Sequence, residues 1–202
     1  MQETKDFFAH KAKNYEQEKR RLDNVANISK LILREIDYKK DMHILDFGSG
    51  TGLLLEKIAP HIGSVTAVDI SKSMNQVLKE KQHKIPCLLQ IKELDLTTTA
   101  LDEKFDNIIS SMTIHHIKDI DKLFKIFYNL LKDSGTIALA DLDTEDGTFH
   151  TIDTGVHHFG FDREEFAQKA KNAGFKNIKT QTVGNVVKPY GEYGVFLLTA
   201  SK

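Results

Sequence analysis

The chain holds a single cysteine, Cys87, so no intrachain disulfide can close. With no partner to suggest nucleophilic chemistry, the thiol reads as a small buried apolar residue. No apolar run reaches the length of a signal-peptide core or a membrane span, which argues against a membrane partner and makes the cytoplasm the expected compartment. Neither sign of charge is in excess. Lys plus Arg total 28 against 29 Asp plus Glu, and the net charge of -1 supplies no whole-chain attraction to nucleic acid. Repeats and low-complexity tracts are missing as well. What remains is 202 residues with 40% hydrophobic content, enough for one substantial core but not for two independent domains.

Within that chain the stretch from His43 to Leu55, HILDFGSGTGLLL, organises the rest. Ile44, Leu45 and Phe47 form a short apolar run suited to a buried parallel strand. Leu53, Leu54, Leu55 and Ile58 supply the apolar face of a following helix. Three glycines lie between them. Gly48 suits the positive φ of a tight turn, Gly50 leaves the backbone open to a ligand, and Gly52 is expected to let the helix pack closely on its strand. A turn of this kind directs helix N-terminal N–H groups at its ligand and favours an anionic group there. The spacing G-x-G-x-G differs from the dinucleotide fingerprint G-x-G-x-x-G. The next strand, Val65 to Val68, ends in Asp69, roughly 20 residues on, where an acidic side chain accepts hydrogen bonds from ribose hydroxyls.

Asp46, the glycines and Asp69, in this order, resemble the class I S-adenosylmethionine-dependent methyltransferases, in particular their small single-domain members. The resemblance runs from about Ile44 to the C-terminus. It implies an α/β fold with a Rossmann-like, seven-stranded, mostly parallel sheet, helices on both faces and an antiparallel C-terminal hairpin strand. It also implies S-adenosyl-L-methionine as cofactor over Asp46, Gly48, Ser49, Gly50, Thr51 and Gly52. Asp69 and Ile70 would then lie at the ribose, Met74 against the adenine, and Asp95 and Leu96 at the adenine amine. An Asp at a strand end is otherwise a common turn residue.

Residues 1–40 are charged, with apolar positions at helical spacing from Phe7 and Phe8 through Leu22, Val25, Ile28, Leu31, Ile32 and Ile36; two helices fit. In the family such a segment often lies over the cofactor cleft, so 1–40 is expected as a helical cap and 41–202 as the methyltransferase domain proper. Tyr15 becomes a cofactor contact on that reading, and a core aromatic otherwise. Ser71 is suited to cap the helix through Met74 and Leu78. A third strand is expected from Pro86 to Leu96, and a fourth from Phe105 to Ser110. Lys118–Leu131 reads as a helix, Gly135 as a turn and Thr136–Ala140 as the fifth strand. A helix from Arg163 to Ala173 stops at Gly174, before strands at Ile178–Val183 and Gly194–Ala200. The longest irregular stretch, Leu142–Phe161, carries His150, His157 and His158, and loops of that length are usually functional or disordered.

Ligands in open α/β sheets sit beyond the C-terminal strand ends. That places Ser111, Met112, His115 and His116 beside the transferable methyl. The main catalytic demand is alignment, which contributes up to ~7 to 11 kcal/mol. A base is needed only where the acceptor must lose a proton, and His116 and His115 are the candidates. No Pro-Pro-Tyr or Pro-Pro-Phe motif follows Ser110, no Cys nucleophile for pyrimidine carbon methylation is present, and no RNA-binding module fits in this length. A small-molecule acceptor is therefore expected, and nucleic acid is not. No metal is expected either. Asp141, Asp143 and Glu145 imitate a calcium loop, but Gly147 falls at the seventh position and Ile152 occupies the place of the bidentate acid. Paired histidines without fixed ligand spacing are mostly surface or hydrogen-bonded residues. Two other readings stay open: a cofactor-binding protein without turnover, and a nicotinamide-dependent oxidoreductase, against which the glycine spacing and the hairpin both argue.

Overall fold

The computed structural model describes residues 6–9 and 11–202, so residues 1–5 and 10 of the expected N-terminal cap lie outside the described residues. A seven-stranded sheet forms the centre. Its strands are β1 (His43–Phe47), β2 (Ser64–Asp69), β3 (Leu88–Glu93), β4 (Phe105–Ser111), β5 (Leu131–Leu142), β6 (Lys176–Lys188) and β7 (Gly191–Ser201). They lie in the order β3-β2-β1-β4-β5-β7-β6. β1 through β5 are parallel, and β7 runs antiparallel to both β5 and β6.

Alternation along the central strands builds one core on each face of the sheet. Ile44, Ile109 and Leu197 join α1 (Lys19–Glu35), α2 (Leu55–Ile58) and α3 (Lys72–Glu80) through Ile28, Ile32, Leu55, Ile58 and Leu78. Their chain neighbours Leu45, Ile108 and Leu198 point the other way, onto α4 (Ile120–Leu130) and α5 (Arg163–Asn172) through Leu123, Phe124, Phe127 and Phe166. Side-chain oxygens cap three of these helices. Ser71 accepts from the Met74 N–H at 3.2 Å, Asp119 from Lys122 at 2.9 Å, and Asp162 from Glu164 and Glu165. Gly174, at φ +107°, ends α5 as expected.

Several boundaries differ from the sequence reading. The helix after the glycines is a single turn, because Pro60 lacks the N–H that would continue it, and a 3-10 turn, Ala59–His61, follows. The first of the two N-terminal helices is a 3-10 turn, Ala12–Gln17. Leu94–Leu96 fall beyond β3. β5 starts immediately after α4, with a register break before Thr136, and the left-handed residue there is Ser134 (φ +64°) instead of Gly135. β6 and β7 are longer than expected, since the exposed polar side chains of β6 hide its strand periodicity.

Candidate functional site

The C-terminal ends of β1, β2 and β4 open into a cleft of about 1140 Å³, room for a cofactor together with a small second ligand. Every site residue expected from the sequence lines it except Gly52. Gly52 faces α3 instead: with φ +82°, a Cβ there would stand 2.5 Å from Leu78 Cδ1, so it admits that helix and does not press its own against a strand. Gly48 (φ +70°) gives way to Thr113, whose side chain would meet a Cβ at 2.1 Å. Gly50 (φ +54°) has nothing within 4 Å, leaving its face open to a ligand.

Four of the amides expected to face an anion are already taken within the turn. Gly48 and Ser49 N–H donate to Val68 O, Gly50 N–H to Asp69 Oδ2 at 2.8 Å, and Gly52 N–H to Ser49 O, while α2 begins only at Leu55. These amides stiffen the turn and hold Asp69, whose other oxygen accepts from Ser71 N–H at 2.8 Å. Burial outweighs these bonds and raises the Asp69 carboxyl above its ordinary range. Asp46 is 1% exposed, and its Oδ2 has no hydrogen-bond partner among the described residues. Burial, with the nearby Asp69 carboxylate, pushes its pKa up to about 8. Ser49 Oγ and Thr51 Oγ1, buried on the same wall, are also unpartnered. Such orphaned atoms call for a polar ligand or an ordered water.

Met74 and Leu96 are buried against the cleft, whereas Ile70 is exposed at its rim. Asp95 lines it while accepting from the Thr97 N–H and hydroxyl, the turn role that its position also suggested. Tyr15 reaches the cleft from the N-terminal segment with the Arg21 guanidinium 3.8 Å above its ring. Asp6 straps that segment to α3 through Ser71 Oγ, Ser73 Oγ and Ser73 N–H.

Across the cleft, Ser111 and Met112 (φ +56°) lead from β4 into a 3-10 turn, Ile114–His116. His115, 1% exposed, points its Nδ1 at Asp141 Oδ1, 2.6 Å away. Since an ionised carboxylate only accepts, this nitrogen carries the proton. Burial works to raise Asp141, but His115 and the amides of Leu142 and His115 outweigh it and hold the carboxyl below its ordinary range. His115 Nε2 lies 3.2 Å from His150 Nε2, and His150 Nδ1 lies 3.2 Å from Thr154 Oγ1. Burial and the neighbouring imidazoles lower His116 to about 4 and His150 to about 3, so both are neutral near pH 7. The loop is pinned to this turn. His157 and His158 N–H donate to His115 O, and His158 Nε2 bonds Ile117 O at 2.9 Å. Phe8 packs edge-on against His116, with ring centroids 5.7 Å apart.

Sequence reasoning brought His115 and His116 to this spot but assigned no part in the site to Asp141, Thr154 or Thr113. Asp141, an acid at the end of an apolar strand, was the available signal. The sequence suggested that the loop histidines lie near His115 and His116, but not that His150, 35 residues away, is the one that pairs with His115.

Comparison with known proteins follows the same lines. The family described as methyltransferase domain matches residues 16–180. An uncharacterized methyltransferase of Schizosaccharomyces pombe is 33% identical over 158 residues, covering 70% of this chain and 56% of its own. Phosphoethanolamine N-methyltransferase 1 of Zea mays is 32% identical over 162 residues, 76% of this chain and 32% of its own. The chain thus spans between a third and just over half of these relatives' lengths. Among solved structures, a Haemonchus contortus phosphoethanolamine N-methyltransferase 2 complex with phosphomonomethylethanolamine and S-adenosylhomocysteine superposes with TM-score 0.73 at 19% identity. It covers 98% of this chain and 59% of that one, a likeness of fold.

Proposed function

The chain belongs to the class I S-adenosylmethionine-dependent methyltransferase family, and from that premise we propose that it transfers the methyl of S-adenosyl-L-methionine to a small-molecule acceptor. The observation that carries the cofactor reading is the pairing of an orphaned buried acid, Asp46, with a turn in which the amides of Gly48, Ser49, Gly50 and Gly52 are taken internally. A pyrophosphate needs free N–H groups at that turn. The cofactor proposed here has no phosphate, and its cationic methionine end suits an unpartnered carboxylate. The strand order, with antiparallel β7 beside β5, likewise departs from the 3-2-1-4-5-6 order of dinucleotide-binding sheets.

When bound, the cofactor supplies a methyl already activated on sulfonium sulfur. The chain's residues then bind and aim. Asp46, largely protonated near pH 7 without ligand, ionises against the cofactor's cationic end and so supplies counter-charge; Asp69 accepts from the ribose hydroxyls, and Met74 and Leu96 flank the base, with Ile70 and Asp95 at its rim. Ser49, Thr51 and Tyr15 complete the polar wall. The described part of the 1–40 segment acts as a cap, and together with the 142–161 loop it screens the reacting centre from water. His115, held between Asp141 and His150, is a positioning residue; His116, on the wall and neutral, is the group able to take a proton from an acceptor so long as its ring holds no metal.

Lys11 and Lys188 on the wall built by the cap and β6, where Arg21 is already paired with Glu18, support an acceptor that carries negative charge, and the maize and nematode proteins are named for such a compound. No helix among the described residues is long and apolar enough to cross a membrane, in keeping with a cytoplasmic role. Calorimetry with S-adenosylmethionine and with NAD tests the cofactor: binding of NAD alone would overturn the reading. Methyl-labelled cofactor with phosphoethanolamine, beside a panel of uncharged amines, then tests the acceptor. Labelling confined to uncharged amines would remove the anionic assignment, and absence of any product would favour a binding protein without turnover.

A further inference from the structure

His115, His116 and His150 approach one another from two separate stretches of chain, a 3-10 turn after β4 and the long loop after β5. Their ligand nitrogens all lie within 4.8 Å of one another. Two of the rings have their other nitrogen occupied: His115 Nδ1 by Asp141 at 2.6 Å and His150 Nδ1 by Thr154 Oγ1 at 3.2 Å. Metal-bound histidines show this arrangement, with one nitrogen on the ion and the other fixed by a carboxylate, hydroxyl or carbonyl. The separation of His115 Nε2 and His150 Nε2 is 3.2 Å. Two nitrogens sharing a tetrahedral ion at ~2.0 to 2.1 Å stand about 3.3 to 3.4 Å apart, nearly the same distance. The His116 nitrogen completes the group within 4.8 Å of the other two.

We propose that His115, His116 and His150 form a three-histidine site for a divalent transition metal of the Zn²⁺ class, with its open position facing the cleft. Three imidazole nitrogens with no carboxylate among the ligands favour zinc, cobalt or nickel over magnesium or calcium. All three rings also line the cleft in which the acceptor is placed, so the open position is available to an acceptor hydroxyl, thiol or amine. This last point rests on the methyl-transfer reading; the metal site itself does not. It also replaces the expectation, drawn from ligand spacing alone, that the chain binds no metal.

The test uses the full chain without a histidine tag, stripped with chelator and titrated with Zn²⁺, with Co²⁺ as spectroscopic probe. One Zn²⁺ per chain and a Co²⁺ spectrum of low, four- or five-coordinate symmetry are expected. The His116→Gln and His150→Gln variants should each weaken Zn²⁺ binding at least tenfold, and Asp141→Asn by about 10- to 100-fold through ring orientation. S-adenosylhomocysteine binding and the melting temperature report whether each variant is folded. Wild-type uptake no greater than that of a folded His116→Gln/His150→Gln double variant would overturn the site and leave the three rings as a hydrogen-bonded chain. Zn²⁺ uptake without S-adenosylhomocysteine binding would instead sustain the metal site and remove the cofactor reading.

Discussion

Asp46 and Asp141 both close a central strand at the cleft and are both buried, yet one is empty-handed and the other fully engaged. Asp46 leaves an oxygen unpaired and has its pKa pushed up to about 8; Asp141 accepts from the His115 ring, the His115 N–H and the Leu142 N–H, and is held low. A buried carboxylate without partners costs stability and waits for a ligand, whereas one with a full set of donors spends its charge on orienting a neighbour. The cofactor half of the cleft is built on the first principle and the histidine half on the second.

Removing each carboxylate is the most direct way to break this contrast. Asp141→Ala should cost about 3 to 5 kcal/mol, since it strands a buried imidazole and two buried amides, and urea denaturation measures it. A loss below that of an ordinary surface substitution would show that the pair is not holding the turn.

Gly48→Ala should cost about 1 to 2 kcal/mol for left-handed backbone, plus about 1 to 3 for displacing Thr113. Gly50→Ala meets nothing within 4 Å, so it should show only the backbone part in a melt while weakening S-adenosylhomocysteine binding in calorimetry. Equal melting temperatures for the two variants would mean that Thr113 does not seal the turn.

Asp69→Ala should weaken cofactor binding by roughly 1 to 3 kcal/mol, because it leaves ribose hydroxyls unpaired. Unchanged affinity by calorimetry would remove Asp69 from the site.

The smallest effect is a slope. The folded pKa of Asp46 lies above its ordinary value of 3.8, so the folded chain keeps a proton that the unfolded chain releases. Stability from this group is therefore lost as pH rises from about 4 towards 8. His116 and His150, lowered in the fold, act oppositely at the acid end, so the informative quantity is the difference from Asp46→Asn. Across pH 5 to 8 the wild type should lose stability relative to the Asn variant in urea titrations without ligand; parallel curves would contradict the assignment.

The cofactor half was legible because its signals are local. Ile44 to Phe47, the glycines and Asp69 each state a backbone or charge requirement within a few residues. What could not be read was where groups from distant segments meet. Gly52 tells of positive φ but not that Leu78 is the neighbour it admits, and α2 shrank to one turn because Pro60 governs its end. The histidine half depends on His150 crossing from the loop to His115, and on Asp141 turning inward at a strand end whose sequence resembles a failed calcium loop. Periodicity also misjudged β6, whose exposed polar residues give an edge strand little apolar signal.

β7 is last in chain order but second from the edge in space, hydrogen-bonded to β5 on one side and β6 on the other. The parallel strands β1 to β5 can assemble as the chain emerges, but β5 then carries a row of bare backbone N–H and C=O groups until the hairpin arrives. An uncovered edge of this kind invites pairing with another chain. Contacts from Thr136 to Ser201 are long-range and slow to form. The hairpin is therefore a cover as well as a wall: a variant that loosens β7 from β5 should aggregate more readily than one that loosens β6 from β7 by the same amount, because it bares the edge of the parallel sheet.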